Sequence, residues 1–174
     1  MKKLMLFFFI VYGFCAFSQI HWMSMPEALA AQKKNPRKIL IQFYADNCNS
    51  CNDMAKNTFS HPVISSYVNE HFYPVKFNWE SRERFSILGR NFHNPAETSG
   101  KPSTNEFTRY LDVSMVPSIV FLDESCNLIT KLQGMLTARE LEPYLPWVAQ
   151  NVYRKINTKD QWNSYQKKYH SNIK

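Results

Sequence analysis

Cys48 and Cys51 stand two residues apart in Cys48-Asn49-Ser50-Cys51. Thiols at that spacing serve one of two chemistries: half of a zinc site, or a dithiol that opens and closes as a disulfide. Structural zinc needs two further ligands. The other available thiol is Cys126, and His61, His71, His93 and His170 show no paired spacing, so no metal is expected. A redox couple needs only the two sulfurs and a suitable setting. At a helix N-terminus, backbone N–H groups favour the Cys48 thiolate, and Cys51 follows one turn later, more enclosed. Cys48 then attacks a disulfide, and Cys51 resolves the mixed disulfide that forms.

The surrounding elements supply that setting. Lys38 to Ala45 is a short apolar run rich in β-formers, as a strand buried on both faces would be, and it ends just before the dithiol. Cys51 to Thr58 reads as helix, and Ser60-His61-Pro62 opens another through His71. Ahead of the strand, Ser24-Met25-Pro26-Glu27 has capping-box spacing for a helix that Asn35-Pro36 ends. Phe72 to Trp79 alternates as a second strand. Ser81 to Arg90 is predicted as helix and 91–102 as loop. Ser103 to Glu106 caps a helix to about Leu111. Ser118–Asp123 and Leu128–Gln133 read as a strand hairpin, Thr137 caps a helix to about Tyr153, and Thr158 caps a last one carrying Trp162 and Tyr165. This order predicts an α/β fold with a mixed central sheet and helices on both faces.

The chain has 174 residues, with 20% charged and 44% hydrophobic, enough for one cored domain rather than a disordered chain. Residues 1–18 stand apart: Met1-Lys2-Lys3, an apolar stretch from Leu4 to Phe17, then Ser18 before Gln19. They read as a secretory signal peptide too short to span a bilayer comfortably, leaving 19–174 as the mature domain, with no stable membrane span, in the periplasm or secreted. An uncleaved anchor and lipidation at Cys15 are the alternatives; Phe14 disfavours the second. Loss of Lys2 and Lys3 takes the net charge from +7 to +5. No dense basic cluster with interleaved aromatics suggests a nucleic-acid site. Lys33, Lys34, Arg37 and Lys38 are expected as a solvated edge. Three cysteines remain after export, an odd count unlike a structural disulfide framework.

Ile41 to Cys51, continued by Asn52-Asp53-Met54 and by Thr58-Phe59-Ser60-His61-Pro62-Val63, resembles the active-site segment of the thioredoxin superfamily. It is similar above all to the exported group that includes the C-terminal domain of transmembrane thiol:disulfide interchange proteins. Met115-Val116-Pro117-Ser118 resembles the family's cis-proline segment, and Gly134 falls where the family often has a glycine after its last strand. The resemblance covers about residues 21–153, with 154–174 a C-terminal extension and 80–104 an insertion before the cis-proline. It implies a thioredoxin fold, a redox-active Cys48–Cys51 pair needing no cofactor, and a cis Pro117 facing it. Val116 would then have backbone groups free to dock an extended substrate. It implies protein disulfides as substrates and an upstream thiol electron donor or acceptor as partner; a monomer is expected.

The departures from the family pattern are Asn47, Gln42 and the dipeptide Asn49-Ser50, which is neither the Gly-Pro typical of strong reductants nor the Pro-His of strong oxidants. Asn47 replaces the usual tryptophan before the first cysteine, which opens the site to substrate. Gln42 replaces a buried acid on the preceding strand and cannot take up a proton as a carboxylate would. Lys76, where many members carry a lysine, is either electrostatic support for the pair or a solvated surface residue. The expected activity is protein-disulfide oxidoreduction, more in the reducing sense; the alternative is a binding or chaperone-like module of the same fold. Phe92 to Thr98 is expected as a lip over the dithiol or as a solvated elaboration. Cys126, about 17–20 Å from Pro117 at strand rise, is expected as a free thiol in a hairpin turn or an intermolecular contact.

Overall fold

The computed structural model describes residues 19–100 and 103–174; the segment read as a signal peptide lies outside them. Helix α1 (Met25–Lys34) begins at a complete capping box between Ser24 and Glu27, with Pro26 in its first turn. Strand β1 (Ile39–Tyr44) follows, then α2 (Asn49–Met54), which widens into a π turn over Ala55–Phe59. Helix α3 (Pro62–His71) starts at His61, whose Nδ1 accepts the Val63 N–H. It leads into β2 (Tyr73–Asn78).

The insertion departs from the helical expectation over 81–90. Phe85–Ile87 (β3) and Arg90–Phe92 (β4) form a two-stranded hairpin around Leu88-Gly89. Both turn residues have positive φ, +51° and +73°, as the mirror-image hairpin turn requires. Leucine is an unusual residue there, which is why local pattern points elsewhere. A short helix α4 (Ala96–Ser99) completes the insertion, and α5 (Glu106–Tyr110) follows it. Then come β5 (Ser118–Leu122), β6 (Leu128–Gln133), α6 (Ala138–Leu141), α7 (Tyr144–Ala149) and α8 (Lys159–Lys168). The helix expected from Thr137 to about Tyr153 is broken in two, with Pro143 at the N-cap of α7.

The main sheet runs β2-β1-β5-β6, with β1 parallel to β2 and the other pairs antiparallel. β1 is central and buried on both faces. Ile39, Ile41 and Phe43 face α1, the β3–β4 hairpin and α5. Leu40 faces a second core that holds Met54, Phe59, Ile64, Val68 and Leu141. In the first core Phe107 meets Phe43, Phe77, Phe85 and Phe92 at ring separations of 5.0–6.2 Å. The insertion is thus part of the core wall on that face, and Phe92 serves as a core ring rather than as the exposed edge of a lip. Asn94, also buried, donates to Glu80 O and Ser103 O and closes the loop's ends together.

At the sheet's other end Lys38 corrects the expectation of a solvated residue: it is buried and its ammonium meets the Glu124 carboxylate at 2.6 Å. Trp162 stacks on Tyr144 at 4.3 Å and meets Trp147 edge-on, docking α8 on α7. Among the described residues no helix is long and apolar enough to cross a membrane.

Candidate functional site

Cys48 is the N-cap of α2, in extended conformation, and is bonded to Cys51 with the Cα atoms 5.2 Å apart. Its sulfur accepts the Cys51 N–H at 3.1 Å and lies 3.5 Å from the Ser50 hydroxyl. Helix geometry produces the amide contact: the N–H groups of a first turn have no intrahelical acceptor and point at the cap. The two sulfurs are unequal. Cys48 is partly exposed, whereas Cys51 is only 3% exposed. Cys48 is therefore the sulfur open to an incoming group, and Cys51 is the covered one.

Register brings the proline to the same place. Phe43 pairs with Ser118, so residues 45–48 and 115–117 leave one edge of the sheet from adjacent strands, about 4.8 Å apart. The Val116–Pro117 bond is cis. Ser118 Oγ donates to Met115 O at 2.7 Å and fastens the turn. Gly134, at φ +99°, donates its N–H to Pro117 O at 2.9 Å; positive φ is what suits glycine to that position. Thr58 Oγ1 donates to Leu136 O at 2.5 Å, joining the active helix to the chain after β6. Val116 is half-buried, and its backbone N–H and C=O have no partner among the described residues.

Asn47 is exposed beside Cys48. The neighbouring Asp46 accepts from Asn78 Nδ2 at 3.0 Å, which ties the segment before the dithiol to the end of β2. Lys76 is exposed, with its ammonium 4.8 Å from the Tyr44 ring centre, a cation–π contact at the surface. Burial raises the Tyr44 hydroxyl above its ordinary range, with the Asp46 charge adding to the effect, so that hydroxyl stays protonated near neutral pH. Gln42 is fully buried on the face of β1 that Leu40 also occupies.

Three features escape the sequence reading. Met115 and Met135 are half-exposed apolar side chains, one two residues before Pro117 and one directly after Gly134. Their adjacency to those two motifs is the signal that could have marked them. The Thr58 hydroxyl bridge had no local signal. Cys126 is a free thiol in the β5–β6 turn, where its S–H donates to Gln32 Oε1 at 2.8 Å. Burial, reinforced by the Asp123 charge, pushes that thiol up to about 11. His93 is paired with Glu106 at 2.8 Å. Among the described residues, no group of three or more His, Cys, Asp or Glu side chains is placed to hold a metal ion.

Residues 25–149 match the model of the thioredoxin-like domain. The chain belongs to that family. Over 118 residues this thioredoxin-like chain is 24% identical to the thiol:disulfide interchange protein DsbD of Pectobacterium atrosepticum. The match takes in 67% of the chain and 17% of that relative's length. Three solved structures share its fold. A thioredoxin-fold protein from Helicobacter pylori is 17% identical, with TM-score 0.57 over 76% of this chain and 81% of that one. A putative disulphide-isomerase from Bacteroides thetaiotaomicron is 21% identical, with TM-score 0.55 over 75% and 93%. A thioredoxin from Thermus thermophilus is 20% identical, with TM-score 0.54 over 89% and 99%. Thioredoxin-fold proteins act through their own cysteine pair without a cofactor, and in this thioredoxin-like chain Cys48 and Cys51 are the redox-active C-x-x-C.

Proposed function

We propose that the chain is an exported thiol:disulfide oxidoreductase that reduces protein disulfides. The inequality of the two sulfurs carries the reading, because an open Cys48 over a buried Cys51 is the arrangement that two-step exchange requires. In the first step the Cys48 thiolate attacks a substrate disulfide, and one substrate sulfur leaves with the electron pair. In the second, the Cys51 thiolate attacks Cys48, the mixed disulfide breaks, and the other substrate sulfur leaves. The substrate ends as a dithiol and the enzyme as the bonded pair seen in the structure. Val116 and Pro117 would hold the substrate strand beside Cys48 through the free Val116 backbone groups, with Asn47 at its rim.

The reducing direction is supported by the contacts of Cys48. Its two hydrogen-bond partners, the Cys51 amide and the Ser50 hydroxyl, are both neutral. Neutral donors stabilise a thiolate less than a cation would, and a less stabilised dithiol leaves the disulfide comparatively favoured. An upstream thiol donor is then needed to regenerate the reduced form. Export is supported by the basic start and apolar stretch of residues 1–18.

Insulin reduction by the wild-type protein and by Cys48→Ser tests the proposal. Turnover in the wild type and none in the variant is the expected result. Equal, background-level rates would instead favour a binding or chaperone-like module.

A further inference from the structure

Gln42 is fully buried, and both its side-chain oxygen and its side-chain nitrogen lack a hydrogen-bond partner. A buried orphan of this kind is rare and costly, and it calls for an explanation. Its place in the fold supplies one. Gln42 pairs with Lys76 on β2 and Ile119 on β5, so it shares a face with Leu40 and Ile119. Met54 of α2 packs on that same face, one helical turn after Cys51. Moving from Leu40 to Gln42 is one pleat toward the end of β1 that the dithiol follows. Moving from Met54 to Cys51 is one turn toward the same end. The two displacements set the orphaned amide and the buried sulfur toward the same end of one face of the sheet.

We propose that Gln42 is a redox-gated hydrogen-bond partner of Cys51, orphaned while Cys51 is bonded to Cys48 and satisfied by the Cys51 sulfur once the pair is reduced. This rests on the reading of the pair as a working dithiol and assigns a positioning residue to it. A carboxamide suits the role in both protonation states of Cys51. Its Oε1 accepts the S–H of the thiol, and its Nε2–H donates to the thiolate. It takes up no proton. During resolution the Cys51 thiolate attacks the Cys48 sulfur, and the Cys48–substrate bond breaks as Cys48–Cys51 forms. The departing sulfur carries away the electron pair, and the proton released by Cys51 ends on it. Gln42 holds the attacking thiolate in place before that step and is left unpaired after it.

An amide satisfied in only one redox state must bias the equilibrium toward that state. Replacing it by an apolar side chain of similar size removes the bias. Gln42→Leu and Gln42→Met are therefore expected to move the equilibrium with glutathione about tenfold toward the disulfide, which is about 30 mV more reducing for a two-electron couple. A shift under twofold in both variants overturns the proposal, since it would mean that the amide is served equally in both states, by buried water for instance. Should both variants fold poorly, the wild type answers alone. After chemical reduction, the Gln42 side-chain amide protons should shift and become slower to exchange in NMR spectra. Identical positions and exchange rates in the two states overturn the proposal. This readout needs no substrate, so it separates failure of the gating from absence of insulin turnover.

Discussion

Truncating Phe107 to alanine tests whether the 80–104 insertion and the helix after it belong to the core or merely decorate the domain. Phe107 is fully buried at the start of α5 and is ringed by four phenylalanines, two from the main sheet and two from the β3–β4 hairpin. A buried Phe→Ala change costs about 3–5 kcal/mol from lost transfer energy and the cavity left behind. Edge-on ring pairs add about 0.5–1.5 kcal/mol each beyond area, so the upper part of that range is expected here. Against a total stability of about 5–15 kcal/mol, the loss is large but leaves the protein folded in the cold. For a domain of this size it lowers Tm by on the order of 10 °C. Urea titration of the oxidised protein, followed by tryptophan fluorescence, measures the change directly. Exchange rates at 10 °C should stay close to wild type, because Met54 of the helix that carries Cys51 packs on the other face of β1 from this cluster. A loss below about 1 kcal/mol would refute the reasoning, and the hairpin would then be a peripheral elaboration free to act at the dithiol edge.

Cys126 should resist alkylation: with its thiol raised from 9.0 to about 11, the thiolate fraction at pH 8 is about 100-fold below an ordinary cysteine, and iodoacetamide labelling of the oxidised protein should slow in proportion. Labelling at an ordinary rate would show the turn to be open. Acid should weaken the fold, because Glu27 and Glu140 are held below 4.5 by the backbone and hydroxyl groups of their capping boxes. Glu124 is held below it as well: burial pulls its carboxyl upward, but the Lys38 hydrogen bond and charge prevail. Since the folded-state values are depressed, this stability is present above about pH 4.5 and fades as pH falls through them. Thermal melts of wild type and Lys38→Met from pH 7 to 3 should show a shallower acid slope in the variant, and parallel slopes would contradict the assignment. Glu142, buried, accepts the Asn172 N–H at 2.8 Å and the Ser171 hydroxyl, next to buried Ile173. Glu142→Ala should cost about 1.5–3 kcal/mol and speed amide exchange at 171–173; unchanged exchange would mean that the tail is held by other contacts.

Local chemistry made much of the site legible. Of the four capping boxes read at Ser24, Ser103, Thr137 and Thr158, each set by residues three apart, three form; at the fourth, Asn105 caps α5 in place of Ser103, its side chain accepting the Phe107 N–H at 2.9 Å. The apolar run of β1 and the cysteine pair after it placed the dithiol at a strand end and a helix start without knowledge of any other segment. The cis state of Pro117 was readable only through resemblance, since nothing near it in the chain selects the isomer. The helix expected from Thr137 to about Tyr153 breaks at Pro143, and the contact of Glu142 with the C-terminal segment depends on residues some thirty positions away.

The sequence by itself determined which two sulfurs pair, because a spacing of three residues across a helix start leaves them little choice. Tertiary structure alone decided that Cys51 is covered and Cys48 open, that Lys38 is buried beside Glu124, and that 85–92 is a hairpin closing a phenylalanine cluster. It alone left the Gln42 amide without a partner. The physical reason is one of range. Caps, turns and strand periodicity come from groups within about four positions, whereas burial and polar satisfaction depend on groups that meet only when distant segments pack.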